Sequence, residues 1–159
     1  MDIVFESTNI LFVKVSPIFA EDYLKMVNDK EVTRFFEPRA PFTLEQEVNW
    51  ANKKLAEDTT CYSMVERKTG EFIGNIELMD VDDEAKELGI IITLAKQNKG
   101  YGKEAINALL KYAKEILRLK KVVLRANPLN HRAIHVYEKC GFSLYNQTSD
   151  KVYMQIIFK

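Results

Sequence analysis

The sequence predicts one α/β domain over residues 1–159, with a mixed, mostly antiparallel central sheet flanked by about four helices. Three observations predict it. Strand-like and helix-like segments alternate through the second half of the chain, the pattern that builds a sheet with helices packed on it. One βαβ unit is centred on Gln97-Asn98-Lys99-Gly100-Tyr101-Gly102, where a strand stops and a long amphipathic helix begins. The chain is also long enough for a core of its own, and no repeat, low-complexity run or linker divides it.

Ile10 to Val15 is β-branched and aromatic and reads as the first strand. Pro17 opens a helical stretch with Phe19, Tyr23, Leu24 and Val27 on one face, and Asn28-Asp29 stops it. Residues Val32 to Pro41 show no periodicity. Thr43, with Gln46 three residues on, forms a capping-box pattern that starts a helix from Leu44 to about Ala56. Strands then run from Cys61 to Arg67 and from Phe72 to Met79, joined by the turn Lys68-Thr69-Gly70-Glu71. Asp80 to Glu84, with four acids in five residues, makes the next turn. Glu87 to Leu94 is a strand whose centre, Ile90-Ile91-Ile92, is apolar on both faces, as covered strands are.

The helix after the glycines puts Ala105, Ile106, Leu109, Leu110, Ala113, Ile116 and Leu117 on one face. Lys103, Glu104, Asn107, Lys111 and Lys114 lie on the other, so the helix rests on the sheet. Val122 to Ala126 is a buried strand, and Asn130 to Lys139 is a helix ended by Gly141. Phe142 to Tyr145 and Val152 to Phe158 close the chain as a strand pair.

Lys+Arg and Asp+Glu both number 23, so no basic excess points to nucleic acid or an anionic membrane. No apolar run approaches a membrane span, and no basic and apolar leader opens the chain; a cytoplasmic protein is expected. Cys61 and Cys140 do not make a disulfide framework. His131 and His135 have the i, i+4 spacing of a zinc helix but lack its glutamate, and the acids of residues 80–84 lack an EF-hand's glycine and distal Glu. No metal site is expected.

The glycine turn carries the chemistry. Glycines let the backbone turn sharply and approach a ligand with no Cβ in the way. The following helix presents free N–H groups and its positive dipole end, while Lys96, Lys99 and Lys103 add charge. Together these describe a phosphate or pyrophosphate seat. Gly100, Gly102 and Ala105 also satisfy the dinucleotide fingerprint G-x-G-x-x-G/A, but the ribose-binding acid expected about 20 residues on is missing: no acid lies between Glu115 and Glu138. A phosphate loop of the G-K-[ST] kind is excluded by Glu104 after Lys103. A purely structural turn is the remaining rival.

As it stands, Gln97 to Gly102 resembles the Q/R-x-x-G-x-G/A acyl-CoA signature of the GNAT superfamily of N-acetyltransferases. About thirty residues later, Asn130 to Phe142 is similar to that family's N-x-x-A-x-x-x-Y-x-x-x-G-F segment. The Asn28 to Pro38 region resembles the branch with spermidine and ribosomal-protein N-terminal (Rim-type) acetyltransferases. The resemblance implies a GNAT-like fold and transfer of acetyl from acetyl-CoA, the acyl-donor cosubstrate, to a primary amine: a polyamine, another small amine or a protein N-terminus. The amine attacks directly, through a tetrahedral intermediate. It further implies that the backbone at Ile90 and Ile92 lines pantetheine, that Gln97, Asn98, Lys99, Gly100, Tyr101, Gly102 and Lys103 cradle the pyrophosphate, and that Asn130 contacts the cofactor.

The same resemblance places Tyr137 beside the departing sulfur as its proton donor. On residue type alone Tyr137 is a core tyrosine, although a phenol with pKa ≈ 10 suits donation to a thiolate near 8.5. Glu87, in Glu87-Leu88-Gly89, takes the place of the acid that helps deprotonate the amine; on residue type alone it is a solvated strand end. Phe35, Phe36 and Glu37, with Arg39 and the loop Asn146 to Asp150, are expected around the acceptor. The implied partners are acetyl-CoA and an amine, and the reading admits a homo-oligomer. A non-catalytic acyl-CoA-binding module of the same fold is the alternative.

Overall fold

The computed structural model describes all residues 1–159. Eight strands form one sheet: β1 (Ile3–Glu6), β2 (Ile10–Lys14), β3 (Cys61–Glu66), β4 (Phe72–Asp80), β5 (Ala85–Ile92), β6 (Lys121–Ala126), β7 (Ser143–Gln147) and β8 (Val152–Ile157). Their order across the sheet is β1-β2-β3-β4-β5-β6-β8-β7. All neighbours are antiparallel except β5 and β6, so the sheet is mixed and mostly antiparallel as the sequence predicts. The helices are α1 (Ala20–Val27), α2 (Leu44–Ala56), α3 (Tyr101–Glu115) and α4 (His131–Lys139).

Local signals act where the sequence places them. Gln46 N–H donates to Thr43 Oγ1 and Thr43 N–H to Gln46 Oε1, so both halves of the capping box at α2 are made. Gly70, at φ +78°, closes the β3–β4 hairpin. After α4, Gly141 takes φ +103°; its N–H donates to Glu138 O, and Phe142 N–H to Tyr137 O, both at 3.0 Å. That double bond pattern is the Schellman ending, and it pins the backbone of Tyr137.

The helices cover two faces. α1 and α2 close over Val13, Val15, Val65 and Phe72 with Tyr23, Met26 and Ala51. α3 lays Ala105, Ile106, Leu109 and Ala113 on the other face against Phe12, Met64, Ile73, Ile76 and Leu124, and α4 adds Ile134, Val136 and Tyr137 at its margin. Each fully buried side chain such as Ile106 or Leu109 contributes about 1.5–3 kcal/mol relative to exposure.

Several boundaries differ from the sequence reading. β1 was not expected: its apolar content is short, and it is held by Phe5, whose ring stacks on Phe12 at 4.2 Å and on Tyr112 of α3 at 4.4 Å. β4 runs on through Asp80 and β5 begins at Ala85, so the acidic turn shrinks to residues 81–84. β5 stops at Ile92, and Leu94–Lys96 is a 3-10 turn. Pro17–Phe19 is likewise 3-10 before α1 starts, and Met26 rather than Val27 is buried. Ile116 caps α3 and is 63% exposed, not part of its buried face. Glu104 is not a free surface acid: it accepts from Ser7 Oγ and from the N–H and Nδ2 of Asn9, tying the β1–β2 turn to the start of α3.

Gly74 sits where β4 meets the end of β5. A Cβ there would lie 2.0 Å from Ile91 O and 2.9 Å from Ile92 Cα, both backbone atoms that no rotamer change can move. Gly74→Ala is therefore expected to destabilise the fold by about 1–3 kcal/mol through overpacking. Urea unfolding checks this, and a midpoint equal to the parent's would contradict the close approach.

Candidate active site

β5 and β6 are paired only at Ala85↔Lys121, Lys86↔Val122 and Glu87↔Val123. Beyond that point β6 stays with β8 and β5 stays with β4, so the two strands part. Thr93 N–H donates to Ile73 O of β4 at 2.9 Å. Strand alternation then turns the amide groups of Ile92 and Ile90 the other way, into the gap. Gln97 Nε2 takes Ile92 O at 2.9 Å, while the N–H groups of Ile92 and Ile90 and the carbonyl of Ile90 face the opening. An extended ligand can add to this edge as another strand would.

At the far end of that edge lies the glycine turn. Gly100 has φ +84° and Asn98 φ +62°, so the left-handed steps fall on these two residues. Gly102 has no positive φ. A Cβ on Gly102 would meet only Ile92 Cδ1, at an ordinary 3.6 Å, so nothing within the fold requires glycine there. No side chain caps α3, and the first bond into its turn is Glu104 N–H to Gly100 O at 3.2 Å, leaving the preceding amides free. The seat fits a phosphate group: open amides, a bare Gly102, and exposed Lys99 and Lys103 that enter no ion pair.

Three residues of this stretch have other work. Lys96 is held by Glu66 at 3.3 Å and Glu71 at 3.1 Å, so it adds no free charge to the seat. The Tyr101 hydroxyl donates to Glu66. Hydrogen bonds from Thr69, then Tyr101, pull the Glu66 carboxyl down to about 2. Gln97 anchors the loop twice, its side chain donating to Ile92 O and its own N–H donating to Leu94 O at 3.2 Å.

The parting of β5 and β6 also opens a cleft of about 960 Å³ between the two helical layers. Glu87, Gly89 and Ile91 of β5 line it, with Arg125 of β6, Asn130 and Tyr137 of the α4 region, Glu47 and Trp50 of α2, and Phe35, Phe36 and Glu37 from the connection between α1 and α2. The Tyr137 ring packs edge-on to Phe142, with centroids 6.2 Å apart. Its hydroxyl has no hydrogen-bond partner within the chain and is not sealed off, so it opens to the cleft. Burial pushes its pKa up to about 12, with Cys140 adding to the shift, which keeps the proton on the oxygen at any physiological pH. Glu87 is gripped by Arg125 through both oxygens, Nε to Oε1 at 2.8 Å and Nη2 to Oε2 at 3.1 Å. Asn130 caps α4 by accepting from Ala133 N–H at 3.3 Å, with its amide nitrogen left over.

The family profile described as Acetyltransferase (GNAT) domain matches residues 10–143. The chain is 31% identical over 139 residues to spermidine N(1)-acetyltransferase of Escherichia coli (strain K12), covering 83% of this chain and 73% of that relative. The chain belongs to the GNAT acetyltransferase family. It is also 34% identical over 110 residues to the spermidine N(1)-acetyltransferase of Vibrio cholerae, covering 68% of this chain but only 62% of the relative's own length. A crystal structure of spermidine N-acetyltransferase from Vibrio cholerae in complex with CoA and spermine shares the fold, with TM-score 0.83 and 21% identity over 95% of this chain and 96% of that one.

Within this GNAT domain, Phe35, Phe36, Glu37, Glu87, Ile90, Asn130 and Tyr137 all line one cleft, although they lie up to a hundred positions apart in the chain. Gln97 to Lys103 stand outside it, past the far end of β5. The loop Asn146 to Asp150 does not reach the cleft: Asn146 and Gln147 belong to β7, a tight turn follows, and Lys151 takes the place expected of the loop. Sequence reasoning missed Glu47, Trp50, Asn75 and Glu77 as lining residues, and Arg125 as the partner of Glu87. The spacing of Glu47 and Trp50, three residues apart on one helix, was the one local signal available.

Proposed function

We propose that this protein transfers acetyl from acetyl-CoA to a primary amine of a di- or polyamine. The observation that carries the reading is the Tyr137 hydroxyl, protonated and unpartnered, facing the opening where the β5 edge is free. The amine nitrogen, once neutral, attacks the thioester carbonyl; the nitrogen sheds its surplus proton to water, the C–S bond breaks, and Tyr137 gives its proton to the sulfur and regains one from solvent. Burial makes that phenol a weaker acid, but a thiolate formed in the same dry spot is a stronger base for the same reason. The N–H groups of Ile90 and Ile92 face the gap in which the oxyanion develops, and an amide that needs no reorientation stabilises such charge well. Glu87, steadied by Arg125, attracts the ammonium and takes its proton directly or through water.

The choice of a polyamine rests on the cleft's charge and on the relatives. Four carboxylates line it, Glu37, Glu47, Glu77 and Glu87, against three cations, Arg39, Arg125 and Lys151. The relatives at 31% and 34% identity are both spermidine N(1)-acetyltransferases. Thiol release on mixing the protein with acetyl-CoA and a panel of spermidine, spermine, monoamines and short peptides tests the reading; silence with every amine would leave a non-catalytic acyl-CoA-binding module.

Acetyl-CoA, and not NADH, is also expected to stabilise the fold. At 100 times its dissociation constant the gain is about 2.7 kcal/mol, visible as a raised melting temperature. A melt that rises with NADH and ignores acetyl-CoA would contradict the phosphate seat.

A further inference from the structure

Glu47 is the one charged side chain buried in the whole fold, at 6% exposure. It lies one turn into α2, and it makes no ion pair and accepts no hydrogen bond. No buried side-chain oxygen of the chain is both sealed and unpartnered, so the carboxylate oxygens of Glu47 keep their opening toward the cleft they line. A carboxylate withdrawn from water without a partner is costly, and natural folds keep one where a cation arrives to pair with it. Burial accordingly pushes its carboxyl above the ordinary range, with Arg39 opposing. Arg39 does not pair with it: its guanidinium sits over the Phe42 ring, 4.7 Å from the centroid.

The other acids of the cleft are differently disposed. Glu87 is taken by Arg125. Glu77 lies against Gly89 of β5, its Oε1 3.7 Å from where a Cβ would stand. Glu37 is exposed. The cleft that Glu47 lines also carries aromatic rings, among them Phe35, Phe42 and Trp50. An anion set among aromatic faces recognises an alkylammonium, by charge and by the ring quadrupoles together.

We propose that Glu47 anchors a second ammonium of the acceptor, so that the enzyme selects amines carrying two or more ammonium groups over monoamines. The reacting nitrogen is presented to Tyr137 and Glu87, and the distant one is held on the α2 wall of the same cleft. This rests on the acetyl-transfer reading above and adds the residue that sets substrate choice.

The test compares spermidine with butylamine in steady-state thiol release. Glu47→Gln keeps the shape and removes the charge. It is expected to raise KM for spermidine by about 10- to 100-fold with kcat nearly unchanged, and to leave butylamine kinetics as they were. A KM for spermidine that does not move, or one that moves by the same factor as butylamine's, overturns the proposal. Arg39→Met, at an exposed position, is the second variant and decides the matter if Glu47→Gln does not fold. Relief of the opposing cation is expected to lower the spermidine KM alone, and an unchanged or raised KM overturns the anchor. If the parent protein releases no thiol with any amine, the acetyl-transfer reading has failed by itself. The anchor is then judged by melting shifts with spermidine: a shift lost in Glu47→Gln supports it, and an equal shift overturns it.

Discussion

Tyr137→Phe is expected to cut turnover by about 10²–10⁴-fold while leaving cofactor affinity and stability nearly unchanged. The ring and its contact with Phe142 remain, and the Schellman ending of α4 still pins the backbone. A tyrosine used only for packing would behave in the opposite way. Its hydroxyl would have a buried partner, and removal would leave that partner unsatisfied at a cost of about 1–3 kcal/mol. Here the hydroxyl has no partner to strand, so a stability loss is not expected. Amines that attack slowly should show a smaller drop, because thiolate departure no longer limits them. The pH profile adds a check: the donor is lost only as pH rises through about 12, so any alkaline decline below that belongs to another group. Rates and urea unfolding measured on one preparation decide between the roles. Full activity in Tyr137→Phe would leave solvent as the proton donor.

Gly102→Val should separate binding from folding in the other direction. The residue lies in the first turn of α3 with no positive φ, and a new Cβ meets only Ile92 Cδ1 at 3.6 Å. Valine costs a helix only a few tenths of a kcal/mol, so the fold should survive. A phosphate laid against that backbone would be displaced, and affinity for CoA is expected to fall by about 100-fold or more, equal to about 2.7 kcal/mol. Gly100→Ala supplies the contrast. Its φ of +84° is strained for any residue with a Cβ, so it should lose about 1–2 kcal/mol of stability whether or not ligand is present. Calorimetric titration with CoA beside thermal melts checks both, and unchanged affinity in a well-folded Gly102→Val protein would place the phosphates elsewhere.

Features governed by neighbours in the chain were legible from residue order. Thr43 and Gln46 close their capping box over three positions, Gly70 and Gly141 take the positive φ that their turns need, and the apolar stripe of α3 finds the sheet. One detail of the glycine turn was not legible: Lys96, counted with the charge at the turn, is withdrawn by Glu66 and Glu71, whose side chains arrive from the β3–β4 hairpin. Strand β1 escaped notice because four residues carry little periodicity, and its hold comes from stacking on Phe12 and Tyr112, which no local pattern encodes.

By itself the sequence determined the family and the elements from β2 onward, because propensity, capping and glycine geometry act within a few residues. Only the tertiary structure decided that β5 and β6 pair for three residues and then part. That parting follows from which neighbour each strand keeps, β4 for one and β8 for the other, a choice made by burial over the whole sheet. It frees the amides of Ile90 and Ile92, brings Tyr137 into one cleft with Glu87, sets Arg125 against Glu87, and leaves Glu47 facing that cleft without a cation of its own.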